Sequence, residues 1–138
     1  MKIPPEKIKN YVSLLRLNRP IGIYLLLWPT LWALWIAGEG PPDLKVLIIF
    51  IFGTFLMRSA GCIINDYFDR DLDPLVSRTN SRPLAAGLVT PKEALILFII
   101  LVIFSAFLVF MLNKLTIILS CVGLLLAATY PLAKRFWH

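Results

Sequence analysis

Histidine, cysteine and acidic side chains are all scarce in this chain, and each shortage removes a kind of chemistry. The single histidine, His138, is the last residue, has no partner nearby and supports no site. Cys62 and Cys121 fall inside apolar segments with no CxxC or CxxH spacing. This spacing gives no support to a zinc or redox role, and both cysteines read most simply as small packing residues. Only 16% of the 138 residues are charged while 59% are hydrophobic, which excludes an ordinary soluble domain. No internal repeat or low-complexity segment is present, and no nucleic-acid partner is expected.

What is present is long apolar text, with a mean hydropathy of +0.80. Residues 21–37 carry no charge, and neither do residues 46–57; Arg58 alone interrupts the apolar run before Ile64. Residues 94–112 and 115–133 supply two more runs. Each can cross a hydrocarbon core of roughly 30 Å. The predicted fold is an all-α membrane protein with four transmembrane helices, at about 21–37, 44–64, 94–112 and 115–133. A cleaved signal peptide does not suit the first run, which is too long, contains Trp28-Pro29 and is followed by three more runs.

Basic residues predict the orientation. Lys2, Lys7, Lys9, Arg16 and Arg19 precede the first run; Arg70, Arg78, Arg82 and Lys92 lie between the second and third; Lys134 and Arg135 follow the fourth. The opposite connections hold only Lys45 and Lys114. This asymmetry places both ends and the long 65–91 connection in the cytoplasm. The expected location is a bacterial inner (plasma) membrane, with membrane lipid as a partner. Residues 4–17 are amphipathic, with Ile8, Tyr11, Val12 and Leu15 on one face, and predict a helix lying on the cytoplasmic leaflet.

The 65–91 connection opens with Asn65-Asp66-Tyr67-Phe68-Asp69-Arg70-Asp71-Leu72-Asp73, which holds half of the chain's eight acids. Carboxylates beside a membrane core are costly unless a positive charge compensates them. At about 100° per residue, Asp66, Asp69 and Asp73 share a helix face, and so do Asn65, Asp69 and Asp73. Pro74 places this stripe at a helix end. Hard oxygen ligands on one face suit Mg²⁺ carrying a phosphorylated substrate; the alternative is a solvated acidic loop balanced by Arg70 and Arg78.

Arg58 lies two turns inside the apolar run, where an unpaired cation is a functional candidate. Its planar guanidinium suits a carboxylate ligand, or a structural ion pair with another helix. Arg78 and Arg82, four apart, suit diphosphate oxygens or lipid headgroups. Trp28, Trp32 and Trp35 recur around Pro29 and suit either a wall facing a carbocation or helix packing. Tyr130 and Lys134 sit one turn apart, and the lysine suits phosphate or snorkels to the interface.

Asn65-Asp66-x-x-Asp69-x-x-x-Asp73, followed by Arg78-Thr79 and Arg82-Pro83-Leu84, resembles the first aspartate-rich motif of the UbiA superfamily of intramembrane prenyltransferases. Leu27-Trp28-Pro29-Thr30-Leu31-Trp32-Ala33-Leu34 and Arg58-Ser59-Ala60-Gly61-Cys62 look like its 4-hydroxybenzoate polyprenyltransferase branch. The resemblance runs from about Leu14 to the last residue. It implies transfer of a polyprenyl group from polyprenyl diphosphate to the ring of 4-hydroxybenzoate, with Mg²⁺ as cofactor. It implies that Asp66, Asp69 and Asp73 are catalytic and that Asn65, Asp69 and Asp73 hold the metal. Arg78, Arg82, Tyr130 and Lys134 would bind diphosphate, the last two as a YxxxK element, and Arg58 would receive the aromatic acid. Other acceptors (haem, naphthoate or chlorophyllide type) share the aspartate motif, and a non-catalytic cation-binding or assembly protein is the rival from another class. Family members have about nine spans of ~20 residues and a second aspartate-rich loop. The chain therefore resembles the N-terminal half of such an enzyme, part of a larger helical bundle, and is expected to be inactive without the missing C-terminal half.

Overall fold

A computed structural model describes the backbone of residues 4–136, and the side chains of that range up to residue 127 together with Thr129. Five α-helices follow one another: α1 (Pro5–Leu14), α2 (Ile21–Ala37), α3 (Leu44–Asp69), α4 (Pro91–Phe110) and α5 (Lys114–Phe136). A short 3₁₀ turn, Asp73–Leu75, lies between α3 and α4, and no strand occurs among the described residues.

Each boundary has a local cause. Asp43 caps α3 by accepting from the backbone amides of Lys45 and Val46. Thr90 and Glu93 form a reciprocal capping box at the start of α4, just ahead of Pro91 at the first helical position. Between α2 and α3 the chain turns through Glu39 and Gly40, both with positive φ. Pro29 sits inside α2, where it removes one ladder hydrogen bond, and the adjacent Thr30 hydroxyl donates to the Leu26 carbonyl.

The membrane expectation is met most directly by α3 and α4, which are long and apolar enough to span. The other two apolar helices, α2 and α5 as far as residue 127, are shorter. At about 1.5 Å per residue the 17 residues of α2 reach ~26 Å, just under a typical core. Their outward faces are bare hydrocarbon: Ile36, Phe52, Phe107 and Leu125 are all exposed.

The central helix is α3, which packs along α4, lies against α2, and touches α1 and α5. The buried core gathers at one end of the bundle, where Leu14, Ala60, Ile63, Leu84, Val89, Ala94 and Leu101 meet. The small side chains Ser59, Ala60, Ala94 and Ser105 are buried, which lets the α3 and α4 backbones come close. The amphipathic helix α1 falls within the expected 4–17 segment and turns part of its apolar face to the protein. Tyr11, Leu14 and Leu15 pack onto this core, while Ile8 stays half exposed. The helix is tied down by Glu93, which pairs with Lys7 and accepts a 3.2 Å hydrogen bond from the Tyr11 hydroxyl. Glu93 also raises the Lys7 ammonium above its ordinary value. The hydrogen bond from Lys7, with those from Thr90, lowers Glu93 in turn to about 2. The tie is therefore complete between the ordinary glutamate and lysine values, and is lost as pH climbs through the raised lysine pKa or falls through the lowered glutamate one.

The Thr90–Glu93 box thus fixes both the start of α4 and the docking point of α1. Thr90→Ala is expected to lower stability by about 1 kcal/mol, read as a lower midpoint for unfolding in detergent micelles.

Candidate functional site

Helix α3 carries the acidic stripe out of the apolar region. It runs past Ile64 and ends at Asp69, so Asn65, Asp66 and Asp69 stand on its last turns. Asp73 does not continue that helix; it opens the 3₁₀ turn, and the loop beyond folds back over it. The Thr79 hydroxyl donates to the Asp73 carbonyl at 3.0 Å, closing this fold-back.

The stripe is divided between two kinds of partner. Asp66 is 2% exposed and is held by two guanidiniums. Arg16 Nη2 reaches both of its carboxylate oxygens, at 3.0 and 2.8 Å. Arg82 Nη1 lies 3.1 Å from the same carboxylate and 2.8 Å from Asp73 Oδ2, so it bridges the two acids. Asn65 and Asp69 form the second group, with Asn65 Nδ2 donating to Asp69 Oδ2 at 3.3 Å. Asp71 is exposed and faces Arg70, whose guanidinium also lies over the Tyr67 ring.

In the sequence Arg16 carries only a topology signal, and its local geometry explains its placement. The end of α1 is a Schellman turn: Arg16 N donates to the Ser13 carbonyl and Leu17 N to the Val12 carbonyl. Its left-handed position is usually glycine, yet Arg16 occupies it with φ 58°. A non-glycine residue in that conformation costs about 1–2 kcal/mol. The contact of its Nη2 with both oxygens of a buried carboxylate is the evident compensation, and strain of this kind collects at functional sites.

Arg16, Asn65, Asp66 and Arg82 face a cleft of about 1060 Å³, whereas Asp69 and Asp73 are not among its lining residues. Arg16, Arg19, Arg58, Arg78 and Arg82 line it, with Asn65 and Asp66, while Leu25, Met57, Phe98 and Leu124 supply an apolar wall. Arg58 makes no ion pair among the described residues; its guanidinium rests against Gly22 on α2. The three α2 tryptophans Trp28, Trp32 and Trp35 are exposed and do not line the cleft. Tyr130 and Lys134 belong to α5, but their side chains lie outside the described residues.

No three His, Cys, Asp or Glu side chains come together as a metal-binding group among the described residues. Arg82 engages Asp66 and Asp73, while Asp69 accepts from Asn65. Asn65 and Asp69 are oxygen donors of the kind Mg²⁺ takes, which is commonly held by one or two carboxylates with phosphate oxygens and water completing the shell.

An all-helical bundle with bare apolar flanks and a polybasic, acid-anchored cleft at one end defines a membrane-type protein. The UbiA prenyltransferase family profile matches residues 26–138, and the chain belongs to that family. Among curated relatives, the 4-hydroxybenzoate octaprenyltransferase of Psychromonas ingrahamii is 62% identical over 95% of this chain and 46% of its own length. The protein of the same name from Nitrosococcus oceani is 61% identical over 96% of this chain and 47% of its own. That of Vibrio cholerae serotype O1 is 59% identical over 96% and 46%. The chain thus spans about half the length of the curated relatives it matches. No solved structure matches it.

The Arg16–Asp66 contact separates backbone from charge effects. Arg16→Ala is expected to cost about 3 kcal/mol of stability by leaving a buried carboxylate short of a partner. Arg16→Gly should cost about 1 kcal/mol less, because glycine adopts the left-handed turn freely. Asp71→Ala, which removes an exposed pair, should change stability by less than about 1 kcal/mol. Unfolding midpoints of the three variants in detergent check the order.

Proposed function

We propose that this chain forms the diphosphate-binding half of a Mg²⁺-dependent 4-hydroxybenzoate polyprenyltransferase, which moves a polyprenyl group from its diphosphate to the aromatic ring. The observation that carries the reading is the cleft, which puts five arginines and the acidic helix end beside an apolar wall. Such a lining suits a ligand with a strongly anionic head, a hydrocarbon chain and a second, carboxylate-bearing partner. The names of the relatives supply the particular reaction.

Each group then has a task. Asn65, Asp69 and Asp73 would hold Mg²⁺, which when bound supplies positive charge to the departing diphosphate. Arg78 and Arg82 bind the diphosphate oxygens and offset the charge that builds as the allylic C–O bond breaks. Asp66 orients Arg82 and Arg16 toward the cleft. Tyr130 and Lys134 complete the diphosphate side. Arg58 receives the carboxylate of 4-hydroxybenzoate, so that the ring carbon ortho to its hydroxyl meets the allylic cation and the ring proton then leaves. The apolar wall keeps water from that cation.

The same reading makes the chain a four-span unit of an inner membrane, with α2, α3, α4 and α5 crossing and α1 on the cytoplasmic side. The bare outer faces would be covered by lipid and by the remaining spans of a full-length enzyme, without which no turnover is expected. In that full-length enzyme, Asp69→Ala should abolish nearly all transfer; near-normal Mg²⁺-dependent turnover would remove the metal role. Arg58→Ala should raise KM for the aromatic acid about tenfold or more while polyprenyl diphosphate binding persists. For topology, a reporter active only outside the cytoplasm should be active when fused at Gly40 and silent when fused at Asn80. The reverse pattern would invert the orientation.

A further inference from the structure

Arg58 is placed by an absence. A Cβ built on Gly22 would lie 2.7 Å from Arg58 Nη2, 3.0 Å from Nε and 3.2 Å from Cζ, so the guanidinium fills the space that any other side chain at position 22 would occupy. Gly22 sits in the first turn of α2, Arg58 is on α3, and both line the cleft. The φ of Gly22 lies outside the left-handed range, so glycine is not needed there for the backbone. Its use is the close approach of an arginine head to bare main chain.

We infer that Gly22 is a positioning residue that sets where Arg58 presents its guanidinium, and that it thereby sets the preference of the cleft for an anionic aromatic acceptor over an uncharged one. The inference rests on the reading of Arg58 as the carboxylate receiver. The atoms a new Cβ would meet are the far end of a flexible side chain, so Gly22→Ala moves the guanidinium without disturbing the helix contact. Substrate preference should change while folding does not.

The test is steady-state transfer by the full-length enzyme in membranes, with 4-hydroxybenzoate and its uncharged amide as acceptors. Gly22→Ala is expected to raise KM for the acid about tenfold, the loss of one well-placed hydrogen bond to a charge. The amide, the KM for polyprenyl diphosphate and the unfolding midpoint should stay near the parent values. In an Arg58→Ala background, Gly22→Ala should have no further effect on the acid. Gly53→Ala, at a glycine with nothing within 4 Å of the added carbon, serves as the neutral control. Equal weakening of acid and amide, or an equal cost with and without Arg58, would overturn the inference, since either outcome makes position 22 a plain wall. An unchanged KM in Gly22→Ala beside a raised KM in Arg58→Ala overturns it alone. An unchanged KM in Arg58→Ala overturns the carboxylate-receiver reading as well.

Discussion

A carboxylate almost fully withdrawn from solvent, Asp66, holds this end of the molecule together. An ionised acid at such a depth is tolerated only when its oxygens are occupied, and two guanidiniums occupy them. One comes from the turn after α1 and the other from the loop before α4. Three segments far apart in sequence therefore converge on one side chain. The bridge from Arg82 to Asp73 then carries the convergence to the 3₁₀ turn, so the long connection is fixed at its middle as well as at its capped end. The apolar cluster beneath, with Leu14 and Ile63 fully buried, gives the ion pairs a dry floor.

Around that anchor the cleft is strongly cationic. Five arginines face it with Asp66 the acid among its lining residues, and Asp66 is already committed to two of them. Arg58 differs from the rest because its head lies on the bare backbone of Gly22 and not on a carboxylate. An arginine packed in this way keeps its outward donors available to a ligand, while the glycine limits where they point. The apolar side of the cleft, from Leu25 to Phe98 and Leu124, meets the charged side without an intervening layer. A ligand that is itself divided between a charged head and a greasy tail matches such a boundary.

Much of this was legible from residue order. Apolar runs of the right length announce helices, and the Asn65, Asp66, Asp69, Asp73 spacing announces a helix end loaded with acid. Arg58 stands out because a charge inside apolar text has few ordinary explanations. Periodicity carries no information about what happens once a helix stops. It placed Asp73 on the same stripe, whereas α3 ends at Asp69 and Asp73 reaches Asp66 only through Arg82. Arg16 was equally hidden, since a basic residue ahead of an apolar run reads as orientation. Its left-handed φ, the one local signal of its role, belongs to backbone geometry. The amphipathic face of residues 4–17 was visible, but whether lipid or protein covers such a face depends on tertiary partners such as Glu93. Gly22 has meaning only across two helices, and no pattern within either one could have marked it.

The length of α3 has a consequence of its own. Its 26 residues reach about 39 Å, whereas a hydrocarbon core is roughly 30 Å thick. Set upright across such a core, the helix overshoots by about six residues, and its last six are Ile64 to Asp69. A rigid rod crossing such a layer with this excess at its C-terminal end would lift the acids clear of it, so depth and chemistry would share one ruler. An insertion or deletion anywhere along α3 would turn the carboxylates about the axis and also shift their height against the bilayer, two errors from one change.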